Sequence, residues 1–362
     1  MSRIRIGVIG AGWFATTNHI PVLARRTDVE LTAVCRPGRE ALQGIQDAFG
    51  FRFATEDYRE LLEQDLDGVV VSSPHDLHYE HASAALQQGL HVVCEKPMAL
   101  DPAQAWDLVR LAQANSCHLL VPYGWNYKPF VQTAKEMIDD DAVGEIEYIQ
   151  SRMASPTKSF FAGVPTVPAA WTPTLSSPEP DTWQCARRGG GYGHGQITHA
   201  AALLFWLTPL RPKRIACLMT APDSRVDMYD SAIAEFTSGA IGTISGAATL
   251  PDGFSFQLDM QIFGAKGMLA LDAEVGRERL LLARHDGTRK EVATNHGDGA
   301  YSCVDPIDCF VDLIQGQGHN KSPGSLAAYC VELIHAMHTS AQNAGEFATI
   351  EATEELSVLQ EK

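Results

Sequence analysis

A short apolar run that ends in a glycine turn opens the chain and is its most constraining feature. Residues 4–9 (IRIGVI) have the composition of a buried β-strand, and residues 10–15 (GAGWFA) then match G-x-G-x-x-[G/A] at the start of a helical segment. In this setting the first glycine permits a tight turn, and the second lets a pyrophosphate approach the backbone at the helix N-terminus. The pattern predicts a dinucleotide-binding turn with contacts at Gly10, Gly12, Trp13 and Phe14.

Strand-like and helix-like segments continue to alternate as far as residue 123. Short apolar runs are separated by helical patterns, and the runs fall at residues 30–35, 67–72, 91–94 and 118–123. Such alternation is typical of a doubly wound parallel sheet with helices on both faces. We therefore predict a dinucleotide-binding Rossmann domain over residues 1–122.

The pattern changes after residue 123. Longer runs with partial alternation of apolar and polar residues, such as residues 230–250, are separated by Gly, Asp and Ser turns. This favours a large open, mostly antiparallel sheet with one solvated face. Helical patterns at about 304–316 and 324–343 close the chain. We predict that residues 123–362 form a second, α+β domain, and that the chain as a whole is of the α/β class.

Charge and composition exclude several classes of function. The 362 residues include 28 Lys and Arg against 44 Asp and Glu, for a net charge of -16, and such a chain repels phosphate backbones and anionic lipids. We therefore expect neither nucleic acid nor a membrane as partner, and no apolar stretch reaches the roughly 20 residues that span a bilayer. The 8 cysteines are scattered and no signal-peptide pattern is visible, so we expect free thiols and a cytoplasmic protein.

The residue after the second apolar run bears on the choice of cofactor. NAD enzymes usually place an acidic residue there, against the ribose hydroxyls. This chain has Arg36 instead, followed by Pro37, Gly38 and Arg39. A guanidinium at this position could pair with a 2′-phosphate, which favours NADP slightly over NAD. The alternative is that both arginines are solvated loop charges.

Residues 72–97 (SSPHDLHYEHASAALQQGLHVVCEKP), together with the glycine turn, resemble the Gfo/Idh/MocA oxidoreductases, the family of glucose-fructose oxidoreductase and inositol dehydrogenase. The T-P-N-x-x-H segment of that family matches residues 73–78, and its hallmark E-K-P matches residues 95–97 without change. The resemblance covers nearly all of residues 4–122 and implies that Lys96 lies near the nicotinamide and the reacting hydroxyl. It implies cofactor contacts at Ser73, Pro74, His75, His78, Glu95 and Lys96.

Lys96 also has suitable properties when considered without the resemblance. A lysine between a buried strand and a proline can have its pKa lowered towards neutrality by burial, as a general acid/base requires. The alternative is a structural salt bridge to Glu95. The histidines at 75, 78 and 81 raise the question of a metal site, but no cysteine or carboxylate completes a set of ligands. We expect no metal.

The glycine-rich segment 189–199 (GGGYGHGQITH) carries a second part of the resemblance. In the family this segment usually has an aspartate and, four residues later, a histidine, and the pair orients the hydroxyl and relays its proton. His199 matches the histidine, which implies a catalytic role, whereas Gly195 stands at the aspartate position and breaks the pair. His194 and Gln196 flank the gap and are candidates to take over part of its work. The alternative for His199 is a core histidine in a helix.

Further candidates for substrate contacts lie on either side of this segment. Tyr123 fits the pattern of the family after the last Rossmann strand, while Asn126 replaces an expected arginine, and both side chains suit sugar hydroxyls. Trp125 is nearly as well explained as a hinge aromatic. Residues 155–188 contain six prolines, which predicts an irregular loop at the rim of a site. This loop adds Trp171, Trp183 and Arg187 as weaker candidates.

We therefore predict an oxidoreductase that transfers a hydride between a secondary alcohol of a sugar, polyol or glycoside and NAD or NADP, with Lys96 and His199 handling the hydroxyl proton. Two alternatives stay open. One is a redox-neutral elimination or glycoside cleavage assisted by tightly held NAD, for which Gly195 leaves room; the other is a sensor that binds dinucleotide and sugar without turnover. In the resembling family the second half builds the substrate cleft and an oligomer interface, so the resemblance implies that residues 123–362 form a substrate-binding and oligomerisation domain. An exposed sheet face that needs covering makes a homodimer or homotetramer the expected assembly.

Overall fold

The computed structural model describes residues 3–164, 175–178 and 180–351. The strands of the N-terminal half are β1 (Ile4–Ile9), β2 (Val29–Cys35), β3 (Phe53–Thr55), β4 (Gly68–Val71), β5 (His91–Cys94) and β6 (Leu119–Leu120). Its helices are α1 (Ile20–Arg25), α2 (Arg39–Phe49), α3 (Tyr58–Leu62), α4 (His78–Gln87) and α5 (Pro102–Ala114).

These strands form one parallel sheet with the order β3-β2-β1-β4-β5-β6 among the described residues, and the predicted doubly wound fold is confirmed. Strand β3 and helix α3 are additional to the predicted alternation, since three half-buried residues give too short a pattern to identify a strand. The helical segment predicted after the glycine turn is also less regular than expected, because a π-helical turn, Ala15–His19, precedes α1.

The second half carries the remaining elements. Its helices are α6 (Pro129–Asp139), α7 (Lys158–Phe161), α8 (Pro180–Gln184), α9 (Thr198–Leu207), α10 (Asp305–Ile314) and α11 (Gly324–Gln342). Its strands are β7 (Ile146–Ala154), β8 (Pro212–Thr220), β9 (Tyr229–Phe236), β10 (Ile241–Ala247), β11 (Gln257–Gly264), β12 (Gly267–Asp272), β13 (Arg279–Arg284), β14 (Arg289–Val292) and β15 (Ala348–Thr349).

In the described part of the chain these strands form a second sheet with the order β14-β13-β12-β11-β7-β10-β9-β8-β15. Only β7 and β10 pair in parallel, so the predicted open, mostly antiparallel sheet is confirmed. Helices α9 and α11 pack on one face, and the side chains of β9 alternate strictly between buried and exposed over most of its length. Exposed apolar residues on the other face include Leu218, Ile233 and Ile241.

Helix α10 follows the second sheet in sequence but packs on the first. Ile307, Phe310 and Val311 are fully buried in a cluster with residues of β1, β4 and β5. The Phe310 ring lies where β4 has a glycine: a Cβ atom at Gly68 would lie 2.9 Å from Phe310 Cζ. The chain therefore returns to the first domain after building the second, and α10 completes the hydrophobic core beneath the parallel sheet.

None of the helices within the described ranges is long and apolar enough to cross a membrane. The eight cysteines all lie within those ranges, and each is a free thiol.

We expect Phe310→Ala to lower the free energy of unfolding by about 3–5 kcal/mol, because it removes a fully buried ring and leaves a cavity between α10 and β4. Urea denaturation followed by circular dichroism measures this. Phe254→Ala is the control, since that side chain is 54% exposed and its loss should change the free energy by less than about 0.5 kcal/mol. Equal effects of the two substitutions would contradict the placement of α10 in the core.

Candidate active site

The two glycines of the N-terminal turn have different surroundings. Gly10 has φ of +82°, and a Cβ atom there would lie 2.3 Å from the backbone nitrogen of Ser73, so no other residue fits without moving the chain. At Gly12, by contrast, no atom of the described residues comes closer to the Cβ position than Gly10 O, at 3.9 Å. The space in front of Gly12 is open at the start of a helix, which fits a pyrophosphate.

A cavity of about 390 Å³ lies at the carboxyl ends of the parallel strands, where open α/β sheets bind their ligands. Residues of the second domain also line it: Ser176, Ser177, Thr182, Trp183 and Arg188. All candidates for cofactor contacts line this cavity: Gly10, Gly12, Trp13, Phe14, Arg36, Ser73, Pro74, His75, His78, Glu95 and Lys96. Sequence reasoning missed further lining residues: Glu56, Tyr58, Thr182 and Arg188.

Glu56 and Arg36 both line the cavity, and both bind backbone atoms of the turn that follows β2 or of the glycine turn. The Arg36 side chain donates from Nε to Pro37 O at 3.0 Å and from Nη1 to Ala11 O at 3.4 Å. Because Pro37 has no N–H, Gly38 supplies the next backbone donor of the turn, and its nitrogen donates to Glu56 Oε1 at 2.7 Å. The Glu56 carboxylate thus accepts the backbone N–H of Gly38, close to Arg36.

The carboxylate of Glu95 is fully engaged without the Lys96 ammonium. Its Oε1 lies 2.8 Å from His19 Nε2, and its Oε2 accepts from the backbone nitrogen of Lys96 at 3.0 Å. Burial raises the pKa of Glu95, but the hydrogen bond from His19 and the nearby Lys96 charge outweigh it, so the pKa lies below its usual value. The Lys96 and Glu95 side chains therefore do not form the structural salt bridge that was the alternative for Lys96. His19 has no signal in the sequence, since it lies 76 residues from Glu95.

The Lys96 side chain instead reaches across to the second domain. Its Nζ donates to the carbonyl oxygen of Gly195 at 2.9 Å and lies 5.9 Å from the centre of the Trp183 ring. Lys96 is 9% exposed, and burial lowers its pKa, an effect that Glu95 and Cys303 oppose in part. A buried lysine with a lowered pKa is suited to accept and return a proton.

The histidines of the 73–78 segment contact backbone carbonyl oxygens of neighbouring segments. The ring nitrogens of His78 lie 2.8 Å from Pro97 O and 2.7 Å from Ser73 O, which ties the loop to the E-K-P turn. His75 Nδ1 lies 2.9 Å from Gly189 O in the second domain. In the part of the chain that the structure describes, no group of three or more His, Cys, Asp or Glu side chains is arranged to hold a metal ion.

The aromatic ring of Phe161 explains why position 195 is a glycine. A Cβ atom there would lie 2.6 Å from Phe161 Cζ and 3.0 Å from its Cε1, so a side chain at this position would require the ring or the backbone to move. The place where the side chain of the resembling proteins' aspartate would begin is therefore filled by a ring from the proline-rich loop. No sequence pattern pairs these two residues, because they meet only in the fold.

His199 is enclosed by aromatic rings on the second domain's side of the site. The rings of Tyr123, Trp125 and Tyr301 meet it edge-on, with centroid distances of 5.8, 5.5 and 5.0 Å. Its Nδ1 has no hydrogen-bond partner among the described residues. Burial, helped by the charge of Lys96, places the pKa of His199 well below its usual value, so the ring is neutral. Sequence reasoning missed Tyr301, which lies in the loop before α10.

The other candidates for substrate contacts are spread around this centre. The Tyr123 hydroxyl lies 3.0 Å from Thr198 Oγ1, and the Asn126 amide donates to Lys321 O at 3.0 Å, so both bind neighbouring segments. Trp183 lines the cavity, whereas the ring of His194 stacks on His338 and is not part of the lining. Gln196 is buried in the π-helical turn Gly193–Ile197, and Arg187 is exposed. Trp171 lies outside the described residues.

Alanine substitutions at the two turn glycines should have separable effects. Gly10→Ala forces the turn away from Ser73, so we expect a lower melting temperature of the free protein as well as loss of dinucleotide binding. Gly12→Ala places a methyl group in open space, so the melting temperature should hold while NADH binding weakens by at least about tenfold. Thermal unfolding and NADH fluorescence titration measure the two effects. Unchanged NADH binding by Gly12→Ala would contradict this location of the pyrophosphate.

Comparison with known proteins finds matches for both halves of the chain. The oxidoreductase family model with an NAD-binding Rossmann fold (GFO/IDH/MocA) matches residues 4–123, and the GFO/IDH/MocA C-terminal domain model matches residues 131–270. D-glucoside 3-dehydrogenase of Escherichia coli K12 is 33% identical over 42% of this chain and 43% of its own length, so the chain spans less than half of that relative.

Other similarities extend over nearly the whole chain. The dTDP-3,4-didehydro-2,6-dideoxy-alpha-D-glucose 3-reductase of Streptomyces violaceoruber is 26% identical over 93% of this chain and 95% of its own length. A levoglucosan dehydrogenase, solved in complex with NADH and levoglucosan, shares the fold with a TM-score of 0.77 at 18% identity, covering 97% of this chain and all of the other. With both of its halves matched by models of one family, the chain belongs to the Gfo/Idh/MocA oxidoreductases.

Proposed function

We propose that this protein is a dehydrogenase that oxidises, or in reverse forms, a secondary alcohol of a sugar, polyol or glycoside with NAD or NADP. One observation carries the proposal: Lys96, buried at the cavity, points its Nζ at Gly195 O while Glu95 is engaged by His19. A dinucleotide turn and a proton-accepting amine thus line one cavity. The names of relatives, which include a glucoside dehydrogenase and a levoglucosan dehydrogenase, support a carbohydrate substrate.

The residues of the chain would divide the work as follows. The bound nicotinamide supplies the site that accepts or donates the hydride. Lys96, as a neutral amine, accepts the hydroxyl proton during oxidation and returns it during reduction. Its bond to Gly195 O fixes the amine against the substrate, and neutral His199 orients the hydroxyl from the other side. The His19–Glu95 pair holds the E-K-P turn in place.

Substrate contacts and assembly belong to the same proposal. Trp183 offers an aromatic face to a sugar ring at the cavity wall. Tyr123, Asn126, His194 and Gln196 are not among the residues that line this cavity, and their contact with the substrate stays a prediction. The exposed apolar face of the second sheet supports a homodimer or homotetramer. The free thiols fit a cytoplasmic location.

Lys96→Ala should lower turnover of the best substrate in a panel of sugars, polyols and glycosides by about 10²–10⁴-fold, because the proton acceptor is lost. Oxidation by the unaltered protein should rise with pH through a pKa below the usual value for lysine, since Lys96 must be neutral and burial lowers its pKa. Reduction should fall over the same range. Absorbance of the reduced nicotinamide measures both rates.

Lys290→Ala, an exposed lysine on β14, is the control for Lys96→Ala and should leave turnover unchanged. Retention of full activity by Lys96→Ala would overturn the mechanism. Product formed without net change in the cofactor would point to the redox-neutral alternative. Binding of NADH and sugar without any turnover would point to the sensor.

The choice between NAD and NADP rests on Arg36 and Glu56. Arg36 favours a 2′-phosphate, whereas Glu56 opposes it by its charge and by occupying Gly38 N. We therefore expect Arg36→Ala to lower NADP affinity relative to NAD, and Glu56→Gln to raise it, each by at least about threefold. Fluorescence titration with the reduced cofactors measures this, with Arg110→Ala on α5 as control. An unchanged ratio in Arg36→Ala would show that Arg36 is a solvated loop charge.

A further inference from the structure

The ring of Phe161, which the proposed mechanism does not use, lies at the Cβ position of Gly195. The residue ends α7 and is 1% exposed; its backbone nitrogen donates to Thr157 O at 3.1 Å, and its carbonyl accepts from Ser224 Oγ at 3.3 Å. The ring packs edge-on against Tyr192 and Trp183, with centroid distances of 6.0 and 6.4 Å. Hydrogen bonds to the backbone and contacts of the ring therefore hold Phe161 in place, and the residue also lines a second cavity with Ala162 and Ser224.

The segment that carries Gly195 is fixed from the opposite side. Gly193 N donates to Asp227 Oδ2 at 2.6 Å, and Gly195 N donates to Gly191 O at 2.9 Å. The Phe161 ring contacts the Cβ position of Gly195, so the segment is held by hydrogen bonds on one side and by this ring on the other. The direction of the Gly195 carbonyl, and hence the position of Lys96 Nζ, follows from this packing.

The described surroundings of Lys96 Nζ are partly aromatic. The nitrogen lies 5.9 Å from the centre of the Trp183 ring, whose face attracts a cation weakly, and the Trp183 ring in turn packs against Phe161. The titratable groups that act on Lys96, or on which Lys96 acts, are Glu95, Cys303, His75 and His199.

Of these groups, only Glu95 carries charge near neutral pH, and its oxygens already bind His19 and a backbone amide. Burial raises the pKa of the Cys303 thiol to about 12 and places the pKa values of His75 and His199 well below their usual range. Water or a polar side chain at position 195 would therefore give the Lys96 ammonium a new polar partner.

We propose that Phe161 is a positioning residue for Lys96: its ring excludes side chains and water from position 195, so that the amine keeps the Gly195 carbonyl as its partner and remains ready to accept a proton. The inference rests on the proposed function. In the oxidation step the neutral amine donates one N–H to Gly195 O and accepts the hydroxyl proton on its lone pair. The hydride leaves the same carbon for the nicotinamide, and the resulting ammonium later gives its proton to water.

Four variants test the proposal: Phe161→Ala, Phe161→Met, Gly195→Ala and the double variant Phe161→Ala/Gly195→Ala. Phe161→Ala admits water, which stabilises the Lys96 ammonium and raises its pKa. The rise of kcat/KM for oxidation with pH (the pH limb) should therefore move to higher pH by at least about half a unit. Phe161→Met refills the volume and should leave the limb in place. Gly195→Ala alone should lower kcat by about 10²-fold, because the added methyl displaces the carbonyl that holds Lys96.

The double variant is the decisive measurement. With the ring removed, the methyl at position 195 fits, so kcat of Phe161→Ala/Gly195→Ala should return to within about threefold of Phe161→Ala. A purely structural role for Phe161 would lower the melting temperature and kcat but would leave the pH limb unmoved, and that result would overturn the proposal. So would a fully active Gly195→Ala or a double variant without recovery.

Two further results separate the possible causes of failure. If the unaltered protein binds NADH but no member of the panel is turned over, the proposed function fails and the role of Phe161 fails with it. If the unaltered protein is active, depends on Lys96 and yet shows no coupling between positions 161 and 195, only the role of Phe161 fails. If Phe161→Ala does not fold, Phe161→Leu, which removes less of the ring, should show the same limb shift at smaller size.

Discussion

The hydrogen bond from Lys96 Nζ to Gly195 O joins the two domains at the point on which the site depends. Each domain contributes half of the proposed site: the first has the glycine turn and the Lys96 amine, and the second has the Gly195 carbonyl that the amine binds and the ring of His199. Two nearby contacts, His75 with Gly189 O and Arg188 with Asp76, join the same two segments. The site therefore exists only where the domains meet, and its precision depends on how firmly they are held together.

Residues whose role is set by the local backbone could be predicted from the sequence. The turn at Gly10 needs a positive φ, and a strand must precede it, so the pattern and its context determine the position together. Residues that reach the site only through the fold could not be predicted. His19 meets Glu95, and Phe161 meets Gly195, over long separations in sequence, and neither pair has a spacing that a single chain can reveal.

The fold shows the same division between local pattern and tertiary contact. Strands β1, β2, β4 and β5 are nearly continuous apolar runs because both faces of the parallel sheet are covered, and such runs are easy to recognise. Strands β13 and β14 went unrecognised because neither alternates: β13 has three consecutive buried leucines, and β14 is almost entirely charged and exposed. The direction of the His194 ring, towards His338 and away from the cavity lining, likewise depends on a helix near the end of the chain.

The return of the chain to the first domain through α10 limits how its parts can be exchanged. Recombination at residue 123 between two relatives would join a sheet from one parent to a helix shaped for the other, since Phe310 fits against Gly68 as one unit. The inherited module is therefore discontinuous: the parallel sheet and α10 must be taken from the same parent. Divergence in substrate choice is consequently easier by exchange of loops on the second domain than by exchange of whole halves.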